Sequence, residues 1–251
     1  MENQILRNYG VIFKYFKSED DFTQIHFTVD VAYKGKSQNG KHHFNINRKQ
    51  VYINETAPDL IIEQLADKAG SCLYPMEILT SDEGPFEEII NYEEIKKRWD
   101  SKKEELQNYY KGEIAERIID NLDKVYSSKN KIEMAMNDDL FFTLFFMPIY
   151  RKHIERKAEY KKEIVFVAFE MPIPYDIIQE VGKFLTVSNK QQISLKGFTA
   201  KSEANLPELQ LDYKINNETK SLFSIIGSVN LAKEKSLNQN IEIEIYQLNE
   251  N

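Results

Sequence analysis

The chain has 251 residues, 41% of them apolar, with 15 Phe, 14 Tyr and 1 Trp. That is enough to bury a sizeable core, which excludes a charge-dominated disordered chain. Lys and Arg total 33 against 40 Asp and Glu, for a net charge of −7. This balance argues against a nucleic-acid binder, whose affinity rests on surplus positive charge.

The first block reads as strands. Residues 11–17 lead through Ser18-Glu19-Asp20-Asp21 to 24–33, where Ile25, Phe27, Val29, Val31 and Tyr33 alternate with polar or small neighbours. Period two predicts a strand with one buried and one wet face. A loop over 34–41 precedes a third strand at 42–54. Phe44 and Ile46 have one parity there and Val51 and Ile53 the other, so a bulge is expected near Arg48-Lys49. The three runs predict an antiparallel meander.

A helix follows, with Pro58 in its first turn, Leu60, Ile61, Leu65 and Ala69 as its buried face, and Gly70 at its end. Two short strands, 76–80 and 86–90, flank the turn Asp82-Glu83-Gly84-Pro85. Asn91 is placed to cap the next helix, which buries Ile95, Trp99, Leu106 and Tyr110 and stops at Gly112. A further helix uses Ile114, Ile118, Leu122 and Val125. Another runs through Ile132 and Met136 into the apolar tract 140–146, expected to be the most buried helix and to end at Pro148.

Residues 151–163 carry six basic and three acidic side chains and read as a surface crossing. The apolar run at 164–171 reads as a central strand, and 176–184 as a short helix. A second meander closes the chain: 192–200, 209–215, 222–231 and 240–248, with turns at Asn216-Asn217 and 233–237. Together these elements predict an α+β fold: a curved antiparallel sheet of about nine or ten strands, formed by N-terminal and C-terminal meanders, packed on a central block of helices. A single domain over 1–251 is favoured, the alternative being halves at 1–148 and 160–251. In outline the plan resembles lipoprotein-carrier folds, although no motif carries that likeness and fold alone does not supply function.

Motifs for common chemistries are absent. There is no G-x-x-x-x-G-K-[ST], no G-x-G-x-x-G, no G-x-S-x-G and no H-E-x-x-H. No cofactor and no metal are therefore expected. The lone cysteine, Cys72, forbids an intramolecular disulfide and reads as a buried structural thiol. Among the four histidines, His26 shares a strand face with Asp30, and the hairpin pairing could bring His42 or His43 near them to share an ion. Exposed polar residues on a half-wet sheet are the favoured reading of that set. Asp138-Asp139 read as N-terminal charges of the Phe-rich helix. The two Asn-x-Thr triplets, at Asn54 and Asn217, read as turns.

Two features carry the functional expectations. Between Ala69 and Ile95 stand seven acids, Glu77, Asp82, Glu83, Glu87, Glu88, Glu93 and Glu94, and no basic residue. They suggest a docking surface for another protein with a basic surface. The other feature is the tract containing Leu140, Phe141, Phe142, Phe145 and Phe146, which could line an apolar cavity under the sheet. The leading expectation is a non-enzymatic protein-binding module, such as an adaptor, chaperone or toxin-neutralising partner. The alternative is a carrier of an apolar ligand. Lys outnumbers Arg 27 to 6, a bias of A/T-rich coding that points to a bacterial source. No leader is visible, and the 11-residue apolar tract is short of the roughly 20 residues a spanning helix needs. A cytoplasmic location without a membrane span or nucleic-acid partner is the expectation.

Overall fold

The computed structural model describes residues 5–18, 20–37, 39–151, 156–167, 170–200, 207–231 and 239–248. His153 and the expected turn at 233–237 lie outside them. The described strands are β1 (Ile5–Phe16), β2 (Phe22–Lys36), β3 (His42–Arg48), β4 (Tyr52–Ile53), β5 (Met76–Thr80), β6 (Phe86–Ile89), β7 (Lys157–Ile164), β8 (Ile173–Leu185), β9 (Lys190–Phe198), β10 (Leu209–Asn216), β11 (Leu222–Leu231) and β12 (Gln239–Gln247). The helices are α1 (Ile61–Ser71), α2 (Tyr92–Tyr109), α3 (Glu113–Tyr126), α4 (Lys129–Asn137) and α5 (Leu140–Phe145).

All twelve strands belong to one open antiparallel sheet, ordered β6-β5-β3-β2-β1-β12-β11-β10-β9-β8-β7, with β4 pairing β2 off this path. The chain's first and last strands are neighbours, so the two meanders join edge to edge. Across that join the inward row reads Phe27, Val11, Ile245, Ile225, Tyr213, Ile193, on six successive strands. Every one of these side chains is buried. Period-two alternation therefore places one apolar face under the helices across most of the sheet, and the seam is packed like any interior pair.

The strand total exceeds the expected nine or ten for two physical reasons. The run 42–54 divides into β3 and β4. Between the pairs Val29↔Arg48 and His26↔Tyr52, β2 advances three residues and its partner four. One extra residue is the bulge that the parity change implied. The second reason corrects an expectation, because 176–184 is not a helix but part of β8. Tyr175, Ile177 and Gln179 alternate inward, and the polar Gln179 masks the pattern in the sequence. Its Oε1 accepts from the Tyr160 hydroxyl at 3.1 Å.

The expected central strand at 164–171 is also corrected. Strand β7 ends at Ile164 and is the sheet's outermost strand. Its alternating KAEYKKEI pattern keeps charge on the exposed side, as edges require. Beyond it Phe166 is buried, and its carbonyl accepts from the Tyr15 hydroxyl at 3.2 Å, while Met171 is exposed.

Helix α1 buries Leu65 and Ala69, whereas Leu60 and Ile61 are 62% and 56% exposed. The anchoring contact lies in the later turns, where the Tyr126 hydroxyl donates to the Ala69 carbonyl at 2.6 Å. In α3 the buried line is Ala115, Ile119 and Tyr126, with Ile118, Leu122 and Val125 beside it and Ile114 exposed. Its apolar stripe is wide, so spacing alone does not locate the centre. Asn91 precedes α2 but makes no side-chain cap. Its amide instead accepts from Glu77 N–H at 2.9 Å and donates to the Pro75 carbonyl at 3.0 Å, tying the helix start to β5. The expected long helix through Met136 divides at Asp138-Asp139. Asp139 Oδ1 accepts from Phe142 N–H at 2.9 Å and starts α5, which is apolar but for the buried Thr143. Among the described residues no helix is long and apolar enough to cross a membrane.

Candidate functional site

One end of the inward sheet face is left incompletely filled. Here β1 presents Ile5, Arg7 and Tyr9, β2 presents Val31 and Tyr33, and β3 presents His42 and Phe44. These strands are held in register by Arg7↔Val31, Ile5↔Tyr33 and Tyr33↔Phe44. From the helix side, Phe145 and Phe146 come down at the end of α5. Tyr9 meets Phe145 edge-on at 5.0 Å, and Phe44 meets Phe146 at 5.8 Å. Two turns close the rim: residues 81–84 between β5 and β6, and 219–222 between β10 and β11. The half-open cavity has a volume of about 400 Å³, within the range of small-molecule sites.

Tyr150 straps the rim together. Its N–H donates to the Glu83 carbonyl at 3.1 Å and its hydroxyl to the Lys220 carbonyl at 2.7 Å. Gly84 has φ +116°, and a Cβ there would lie 2.6 Å from the Met147 carbonyl oxygen. Glycine is what lets the turn approach this segment so closely. Buried Tyr9 donates to the Leu222 carbonyl at 2.8 Å. Burial pushes the Tyr9 and Tyr150 phenols above their usual range, and Arg7 pulls both the other way, so its guanidinium acts on both rings.

Polar groups are few and mostly committed. The Tyr33 hydroxyl is 3.0 Å from His42 Nδ1, and His42 Nε2 is 3.1 Å from Asp82 Oδ1. Asp82 also meets Lys36 at 2.8 Å, and that bond holds its carboxyl below the usual range. This chain orients His42 at the wall. Lys220 Nζ donates to Asn217 at 3.2 Å, and the Thr219 and Ser221 hydroxyls bond each other at 2.7 Å. Arg7 differs: it lines the cavity and, among the described residues, no carboxylate stands within ion-pair reach of it.

The structure brings the two sequence-derived sites together. Phe145 and Phe146 line the cavity, while Leu140, Phe141 and Phe142 are buried behind them as core. Of the acids, Asp82 is a cavity wall and Glu83 anchors Tyr150. The corner is also supplied with cations from elsewhere in the chain. Glu83 meets Arg151 at 3.1 Å, Glu87 meets Lys41 at 2.8 Å, and Glu88 meets both Lys41 and Lys129 at 3.2 Å. Glu77 accepts from His43 Nε2 at 3.0 Å. Only Glu93 and Glu94, exposed at the start of α2, have no ion pair among the described residues.

The His26–Asp30–histidine cluster does not form. His26 stacks on Tyr52 at 5.1 Å on the outward face, whereas His42 points inward. Among the described residues no group of three His, Cys, Asp or Glu could hold a metal ion. Cys72 is buried, and burial raises its thiol. Arg7 and the 219–222 turn were missed in the sequence, since nothing local marks residues that meet only through the β1–β12 join, whereas Tyr150 closes the apolar tract from Leu140 that was expected to line a cavity. A second hollow of about 550 Å³, between the β3–β4 break and α1, is lined chiefly by polar side chains such as Lys49, Gln64, Asp67 and Lys68.

No protein-family model matches the sequence, and no curated protein matches it significantly.

Proposed function

We propose that the protein is a cytoplasmic bacterial binder of a small apolar molecule, held between the inward face of β1–β3 and the end of α5, and acting by binding rather than catalysis. The observation that supports this most is the cavity of about 400 Å³ walled by Tyr9, Val31, Phe44, Phe145 and Phe146. Apolar surface left open to water costs roughly 25 cal/mol per Å², so a ligand that covers these rings gains free energy without displacing a packed core. The docking reading is the weaker one, because intramolecular Lys and Arg already answer Asp82, Glu83, Glu87 and Glu88.

Calorimetric titration with octanol and with octanoate tests the proposal. Saturable binding of at least one probe is expected, and Ser81→Trp, which places a large side chain at the rim, should abolish it without lowering the melting temperature. If neither probe binds saturably, or if Ser81→Trp leaves binding unchanged, the cavity is not a ligand site.

A further inference from the structure

We infer that the ligand is an amphipathic anion, an apolar body ending in a carboxylate, and that Arg7 receives that carboxylate. This rests on the cavity reading above and adds the chemical class of its occupant.

Arg7 reaches the inward face only through strand parity. It stands opposite Val31 on β2 and between Ile5 and Tyr9 on its own strand, and these three neighbours are apolar or aromatic. Arg7 is half-buried, and an arginine covered by such groups usually has a partner. A guanidinium offers a planar fork of donors that fits a carboxylate by two parallel hydrogen bonds. Every other ionic group of the wall is engaged. Asp82 is held by Lys36 and His42, and Lys220 bonds Asn217. Among the described residues Arg7 is thus the one charged side chain of the wall with neither an ion pair nor a hydrogen bond.

The surroundings set the ligand's shape. The rings of Tyr9, Phe44, Phe145 and Phe146 offer no ionic partner and accept an alkyl or aryl body. The Tyr9 hydroxyl is spent on the Leu222 carbonyl and the Tyr150 hydroxyl on the Lys220 carbonyl. A neutral alcohol finds few open polar groups there, and a cationic head meets Arg7 with like charge.

The test compares octanoate, octanol and octylamine on the intact protein, with Arg7→Gln and Arg7→Lys beside it. Octanoate is expected to bind about tenfold or more tightly than octanol, the worth of a charge-assisted hydrogen bond, and octylamine least. Arg7→Gln should bring octanoate down to the level of octanol measured on the same variant. Arg7→Lys should retain part of the preference, because it keeps the charge and loses the fork. Melting curves of both variants establish that they are folded. Equal affinity of octanoate and octanol for the unmodified protein overturns this inference and leaves the cavity reading intact. So does an octanoate preference that survives in folded Arg7→Gln. Absence of binding by all three probes overturns the cavity reading itself.

Discussion

The acidic corner and the cavity share a wall, yet they treat charge in opposite ways. At the corner, a run of acids with no basic neighbour in sequence is answered in space by Lys36, Lys41, Lys129 and Arg151. In the cavity, Arg7 lies among apolar groups and is answered by no carboxylate within reach among the described residues. A surplus of charge along the chain is thus a poor guide to a surplus in space. What marks a site is a charge whose environment supplies no partner. Exposed ion pairs such as those of the corner contribute little each, because water and salt already screen them.

Substitutions at three positions sharpen this contrast. The largest effect is expected at Gly84, where corner and cavity meet. Gly84→Ala puts a Cβ at positive φ and against the Met147 carbonyl. It should cost about 2 kcal/mol, read as a lowered denaturation midpoint, and should weaken octanoate binding by displacing Tyr150. An unchanged midpoint would show that the turn does not rest on this segment as described.

Asp139, at the start of the helix whose other end lines the cavity, comes next. Its carboxyl is raised by burial, against the pull of the Phe142 N–H and Arg48. The folded chain therefore keeps the proton through a range of pH where the unfolded chain has lost it. Stability from this group is full below the ordinary carboxylate range and falls as pH rises through the folded value. Asp139→Ala loses the acceptor for Phe142 N–H and should cost about 1 kcal/mol. Asp139→Asn retains an acceptor and removes the burden of a buried charge, so it should match or exceed the parent at pH 7 and flatten the slope with pH. Denaturant titrations at pH 4 and pH 7 measure both, and a steeper slope in the Asn variant would contradict the sign.

The smallest effect belongs to the corner. Glu88→Gln removes ion pairs to Lys41 and Lys129 and should cost about 0.5 kcal/mol. That difference should shrink in molar salt, where exposed charges are screened. A salt-independent loss of several times this size would mean that the corner is a buried electrostatic network, contrary to its exposure.

Much of the fold was legible because period-two alternation needs only neighbours. The strands at Met76–Thr80 and Leu222–Leu231 were read to the residue. The bulge at the end of β3 showed in the parity of Ile46 and Val51. The failures came where a residue's role depends on something distant. Gln179 interrupts an apolar row but is satisfied by Tyr160, from β7. Asn91 has the type of a cap but is used as a tie to β5. Leu60 and Ile61 carry the composition of a buried face that nothing covers.

The same division runs through the site. Sequence alone determined the α+β plan, the apolar α5 tract and the clustering of acids, since each follows from local spacing and composition. Only the tertiary structure decided what those features are for. The pairing of β1 with β12 carries Arg7 and Tyr9 toward the turn at 219–222 and closes a cavity from parts more than two hundred residues apart in the chain. It also brings distant lysines and arginines to the acids. Packing and ion pairing depend on distance in space, which the order of residues along the chain does not contain.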